Sequence, residues 1–243
     1  MNDFLLVLLI ASIAGFLTYL GAPLAERFDV PHVVVSAALQ FAAGVVAALV
    51  AFSLMPPAVR LSPPLATVLA FFIGGALYVF FERFAAGAPA TESPDGEAAI
   101  SLGLYAGILV DLLIDGMVIG VGSTLSLGTG ILLALGMAIS TLPLAFVTIA
   151  TAKRQGMPAS KRQLLGFLFF GCIIFGAIVG YGLLRNQPDS IRLILIALAS
   201  GFLITLVTQG LIPEANREGE PGFAGILFIA GLSMYALLTL TVK

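Results

Sequence analysis

The sequence predicts an all-α protein, a polytopic transmembrane bundle of eight helices forming one domain over residues 1–243. Three observations predict it. The chain is 60% hydrophobic and 10% charged, where a soluble domain carries about 25% charged residues, and its mean hydropathy is +1.12. The apolar residues gather into runs of about 20, the length that crosses a bilayer as a helix. The runs are continuous, whereas a membrane barrel alternates in short segments, and helices satisfy their own backbone polar groups in lipid.

Read in order, the spans cover roughly 4–22, 33–54, 64–84, 99–121, 127–150, 163–184, 191–212 and 222–241. The first follows Asn2 and Asp3 rather than a basic segment and is long enough to span, so it reads as a span and not a cleaved signal. Spans 2 and 7 end in proline, at Pro56–Pro57 and Pro213. The 85–98 connection is polar, acidic and punctuated by Pro and Gly, and reads as a mobile loop. Spans 4 and 5 join through a tight turn around Leu127, Gly128 and Thr129. The single cysteine, Cys172, excludes an internal disulfide.

Lys and Arg set the expected orientation. Loops after odd-numbered spans hold Arg27, Arg83, Lys153, Arg154, Lys161, Arg162 and Arg217; the other side holds Arg60, Arg185, Arg192 and Lys243. The positive-inside rule then makes the 5–6 loop cytoplasmic and puts both termini outside, in the plasma (inner) membrane. A net charge of −2 gives no footprint for nucleic acid. The lipid bilayer is the expected partner, and a homodimer is one assembly the reading allows.

An internal repeat is visible. Residues 42–58 align with 199–215 at an offset of 157, and at that offset Gly74 and Tyr78 meet Gly231 and Tyr235. Spans 2 and 3 thus match spans 7 and 8. The expectation is that spans 1–3 (about 4–84) repeat as spans 6–8 (about 163–241) around the central pair (99–150), although span 1 shows no clear match to span 6; the alternative is that two Ala/Gly-rich spans ending in proline simply resemble each other. An odd number of spans separates the copies, so their orientations are opposite, an arrangement common in transporters.

Ionisable residues within a span cost at least about 2.5–3.5 kcal/mol and are functional candidates. Span 4 carries Asp111 and Asp115, one helical turn apart on one face. Carboxylates that close repel unless a cation or a proton lies between them; the structural alternative is a pair hydrogen-bonded to hydroxyls with one Asp protonated. In span 5, Pro143 frees the carbonyl of Ile139, and Ser140 and Thr141 stand one turn before it. Those hydroxyls facing the Asp pair make an oxygen-rich cavity; alone, they read as helix glue and a bend. Gln209, one turn inside the end of span 7, is a further candidate, while Gln40 reads as a cross-helix bond, Glu82, Arg83 and Glu214 as interfacial, and His32, in a loop at a span start, as solvated rather than a ligand. No Walker loop, nucleophile elbow or CxxC is present, which points away from an enzyme.

Taken together, these features resemble the ZIP (zinc/iron-regulated-transporter-like) family of metal transporters over nearly the whole chain. The family's span-4 motif HNxxDG aligns with DLLIDG, putting its Asp-Gly on Asp115 and Gly116; its span-5 HEIPEG aligns with STLPLA, retaining Pro143; its span-7 Pro-Glu aligns with Pro213 and Glu214. The resemblance implies a binuclear metal site, but its span-4 His and Asn fall on Asp111 and Leu112. The span-5 His and two Glu fall on Ser140, Thr141 and Leu144, and the span-6 acid near Ile173. In span 2 the family's ligand and Glu fall on Ser53 and Pro57. The expected ligands are therefore Asp111 and Asp115, with Ser140, Thr141 and Gln209 completing the shell. Zinc favours nitrogen and sulfur donors, whereas an all-oxygen set suits magnesium, manganese or calcium. The expectation is gradient-driven passage of a divalent cation as substrate, with no resident cofactor. The rival expectations are a transporter of protons or a non-metal solute, and a membrane protein that does not transport.

Overall fold

The computed structural model describes residues 3–28, 31–86, 102–216 and 222–241. Among these there are no strands, and eight helices are long and apolar enough to cross a membrane: α1 Asp3–Arg27, α2 Val33–Leu61, α3 Pro64–Phe84, α4 Gly107–Leu125, α5 Leu127–Arg154, α6 Ala159–Leu184, α7 Asp189–Ala215 and α8 Ala224–Thr241. Chain and bilayer thus set the architecture together, an all-α polytopic bundle whose apolar outer side chains, among them Phe72, Phe84 and Ile226, remain exposed. Of the 85–98 connection only residues 85 and 86 are described, as a continuation of the α3 helix, which runs Pro64–Ala86 beyond its spanning part; the rest of the expected mobile loop, residues 99–101 of span 4, and Arg217 lie outside the described residues.

Several helices outrun their expected ends, for one reason. Proline removes a donor and clashes with the preceding turn, yet α1 continues past Pro23. In α2 and α7 the clash is relieved by a wider turn. Residues Leu49–Leu54 and Val207–Leu211 form π turns, with Met55 N–H donating to the carbonyl of Val50 and Ile212 N–H to that of Val207. The α-helix restarts just beyond each, with Pro56 and Pro213 in its first turn, where proline costs least.

Small residues set how the helices pack. A Cβ on Gly44 would overlap the Phe228 carbonyl, and one on Gly201 the Phe71 carbonyl; Gly74 lies likewise against Leu198, and Gly231 against Phe41. Shifting each pair by 157 residues turns one contact into the other. The hydroxyls follow suit: Ser53 Oγ and Tyr235 Oη lie 2.9 Å apart, and 157 positions away Tyr78 Oη sits over Gly210. So α2 packs on α8 as α7 packs on α3, with contacts that correspond at the 157-residue offset.

The inner helices join by the same device. Gly116 and Gly120 of α4 lie against the carbonyls of Ile173 and Ala177, while Gly176 and Gly180 of α6 lie against those of Leu113 and Met117. Glycines four apart on both partners permit this close approach. In α1, Ala11, Ala14, Thr18, Gly21, Ala22 and Ala25 form a buried stripe, and α1 packs on α5 and α6.

Two arginines tie the ends. Arg162 at the start of α6 grips Glu26 at the end of α1 through both carboxylate oxygens, Nη2 to Oε2 being 2.8 Å, and also donates to the Met157 carbonyl. At the opposite end Arg192 donates to the carbonyls of Leu184 (2.8 Å), Arg185 (2.6 Å) and Thr124 (3.2 Å), satisfying the last turns of α6 and α4.

A candidate cation site between the central helices

Glycine at 116 presses one face of α4 onto α6, so the neighbouring Asp115 points away, into the space between α4, α5, α2 and α7. Asp111 lies one turn earlier on the same face. Both carboxylates are 4% exposed, and Oδ1 of each has no hydrogen-bond partner among the described residues. Buried polar atoms nearly always have partners, so two orphaned carboxylate oxygens within one turn are the chief chemical anomaly of the bundle. The structural alternative, a carboxylate pair hydrogen-bonded to hydroxyls, does not account for these two atoms.

Both carboxylates line a cavity of about 10 Å³, roughly the space needed for one water. From α5, Ser140, Thr141 and Leu144 join the wall. Met137 completes the α5 face, Val46 and Leu49 close it from α2, and three leucines close it from α7. Of the six positions where the family alignment puts ligands on spans 4 and 5, five (Asp111, Asp115, Ser140, Thr141 and Leu144) meet at one cavity, and Leu112 does not. The π turns border it, Leu49 opening the first and Leu211 closing the second.

The hydroxyls are held in place. Ser140 Oγ and Thr141 Oγ1 donate to the Met137 carbonyl at 2.9 and 2.8 Å. Thr141 Oγ1 also lies 2.6 Å from Thr18 Oγ1 of α1, which in turn is 3.0 Å from the Ala14 carbonyl. Thr18 was not among the expected residues; its signal was one hydroxyl in an otherwise small and apolar stripe. With their protons given to protein oxygens, the Ser140 and Thr141 hydroxyls keep a lone pair for a cation.

Other expected residues lie elsewhere. Gln209 is exposed and does not line the cavity, so its expected place in the shell is corrected. Gln40 donates from Nε2 to Asn216 Oδ1 at 2.8 Å, the expected cross-helix bond. Glu82 and Arg83 are exposed and Glu214 is half-buried. Ile173 is buried against Gly116 and Ser53 bonds Tyr235, so neither faces the carboxylates. The side chain of His32 lies outside the described residues. Among the described residues no three His, Cys, Asp or Glu side chains cluster as a metal-binding group.

Neither the protein-family models nor the curated proteins compared with this sequence give a match. The reading of the site therefore rests on its geometry and chemistry.

Proposed function

We propose that this membrane protein passes a divalent cation through the bilayer by way of the cavity at Asp111 and Asp115. The observation that carries the reading is the pair of orphaned carboxylate oxygens on a cavity of about 10 Å³. Two carboxylates in an apolar wall are neutralised together by one dication, which also satisfies both oxygens; a cavity this small suits a dehydrated ion and excludes an organic solute. Asp111 and Asp115 supply charge, and Ser140 and Thr141 supply neutral oxygens. Such a set favours magnesium, manganese or calcium over zinc. No nucleotide-binding motif is present, so ion gradients drive the movement. The resemblance to ZIP transporters supports the same reading, with the halves inverted about the central helices, both termini outside, and the family's histidines replaced.

The test is uptake into liposomes, metal by metal, by the native protein and by Asp115→Asn. Saturable uptake of one or more divalent ions, lost in the variant, supports the proposal; equal flux through both forms sinks it.

One observation favours a second reading. Leucines from α2, α5 and α7 enclose the cavity, and a single water beside two carboxylates is also the minimal unit of a proton relay. A proton flux that needs Asp111 and Asp115 but no added metal identifies that case.

A further inference from the structure

Two seams of the bundle, α7 against α3 and α2 against α8, correspond at the 157-residue offset, but their chemistry differs. The π turn of α7 presents Thr208, Gln209 and Gly210 where that of α2 presents Ala51, Phe52 and Ser53. About one turn earlier Thr205 stands where α2 has Ala48, and on the facing helices Glu82 of α3 stands where α8 has Thr239. We propose that the α3–α7 seam is a water-filled vestibule, and that the cation reaches the cavity at Asp111 and Asp115 along it. The cation's route rests on the function proposed above; the presence of water does not.

Exposure is the first argument. Thr208 and Gln209 are both exposed, and Gln209 lies roughly 9 Å of helical rise short of Ala215, where α7 ends. A primary amide turned to hydrocarbon at that depth finds no partner, and polar groups inside a membrane are costly unless they face the bundle or water. The matching residues Ala51 and Phe52 are exposed as well, but they are apolar and lipid suits them. The same place in the two seams thus meets two different solvents.

The tyrosines are the second argument. Tyr235 is fully buried, and its Oη is tied to Ser53 Oγ at 2.9 Å and to the Leu132 carbonyl at 3.4 Å. Its mate Tyr78 is half-buried and faces Gly210, which has no hydroxyl to offer. Tyr78 Oη lies 2.8 Å from where a Cβ on Gly210 would be. One tyrosine is bonded into a closed seam; the other rests against a gap in its neighbour.

Reach is the third. The same Cβ on Gly210 would lie 3.1 Å from Leu206 Cδ1, and Leu206 lines the carboxylate cavity. That leucine borders both the seam and the cavity, and a change of its rotamer opens one to the other. Glu82, one turn beyond Tyr78 on α3, and Asp111 both act electrostatically on the Tyr78 hydroxyl. The seam therefore leads from an exposed acid at the end of α3 to the first carboxylate of the site.

Thiol labelling provides the test. Gln209→Cys, Thr208→Cys and Phe52→Cys are each placed in a Cys172→Ser background, and the full-length proteins are put into lipid nanodiscs, where both ends of the bundle meet water. The probe is a charged methanethiosulfonate. Only the thiolate reacts, and it forms in water rather than in lipid, so cysteines at 209 and 208 should react at least about tenfold faster than one at 52. In liposomes with reagent on both sides, the group attached at 209 should block divalent uptake, while Cys172→Ser alone keeps its uptake under the same treatment. Reaction at 209 and 208 as slow as at 52 overturns the vestibule. Fast reaction at 209 that leaves uptake intact overturns the route. Absence of divalent uptake before any labelling is a failure of the proposed function, and the labelling rates still decide whether the seam holds water.

Discussion

Thr18 Oγ1 of α1 and Thr141 Oγ1 of α5 lie 2.6 Å apart, and the two hydroxyls hold two protons for three contacts: each other, the Ala14 carbonyl and the Met137 carbonyl. If each donated to its own helix, no proton would be left to bridge two oxygens at that distance. One hydroxyl therefore donates across the interface and lets its own carbonyl go, which ties α1 to the wall of the carboxylate cavity.

Thr18→Val keeps the shape and removes this bond. It is expected to cost about 0.5–1.5 kcal/mol of stability, read as a lower melting temperature in detergent, while Thr18→Ser retains most of it. If the serine variant melts as low as the valine variant, methyl packing and not the hydroxyl holds the interface.

Occupancy by a cation should stabilise the protein through mass action. At a hundredfold excess over Kd, the gain is about 2.7 kcal/mol. The melting temperature of the native protein should therefore rise with added calcium, magnesium or manganese. In Asp115→Asn the metal-dependent rise should vanish, while the metal-free protein melts no lower than native, because a buried unpaired carboxylate has been removed. A metal-dependent rise that persists in Asp115→Asn puts the ion elsewhere.

The reciprocal glycine contacts make a paired prediction. Gly44→Ala and Gly201→Ala each drive a methyl into a backbone carbonyl, that of Phe228 or Phe71, and neither neighbour is a flexible side-chain end. Overpacking of this kind costs about 1–3 kcal/mol, and the two losses should be alike. Gly171→Ala, with nothing within 4 Å of the new methyl, should be neutral or slightly stabilising, since alanine is the better helix former. Thermal unfolding of the three variants checks this, and unequal losses at 44 and 201 would mean that the two interfaces are not equivalent in energy.

Much of this was legible in the sequence because lipid leaves few choices. Eight apolar runs allow only helices, and Asp111 and Asp115 stand out against their neighbours. What the sequence concealed lies in two local effects. Pro56 and Pro213 read as helix ends, but a π turn before each lets the helix continue. Such a turn also moves the inward face by one residue. Leu206 and Leu211 both line the cavity at a spacing of five, so a helical wheel drawn at 3.6 residues per turn brings Gln209 nearer the site than it is. Thr18 escaped because one hydroxyl in a small-residue stripe gives no hint of its partner 123 residues away.

The family's nitrogen ligand can be rebuilt on this scaffold. Ser140 and Leu144 sit one turn apart on α5, and both line the cavity with Asp115. Thr141 is best left alone, since its hydroxyl serves Thr18 and Met137. The design is therefore Ser140→His with Leu144→Glu. An imidazole exceeds the present space of about 10 Å³, and overpacking costs about 1–3 kcal/mol. Zinc bound by a full set of good ligands returns about 10–16 kcal/mol in structural sites, so even a fraction of that offsets the strain. Each single change should do little: a lone histidine lacks the added carboxylate, and a lone buried glutamate takes up a proton instead of a metal. Together they should tighten zinc binding beyond the sum of the single effects by at least about tenfold, measured by calorimetry on purified protein. Transport need not rise with it, because tighter binding slows release. If the double variant elutes as a folded protein and binds zinc no better than native, then Ser140 and Leu144 do not face the carboxylates closely enough to share an ion, and the alignment of span 5 with the family's motif fails.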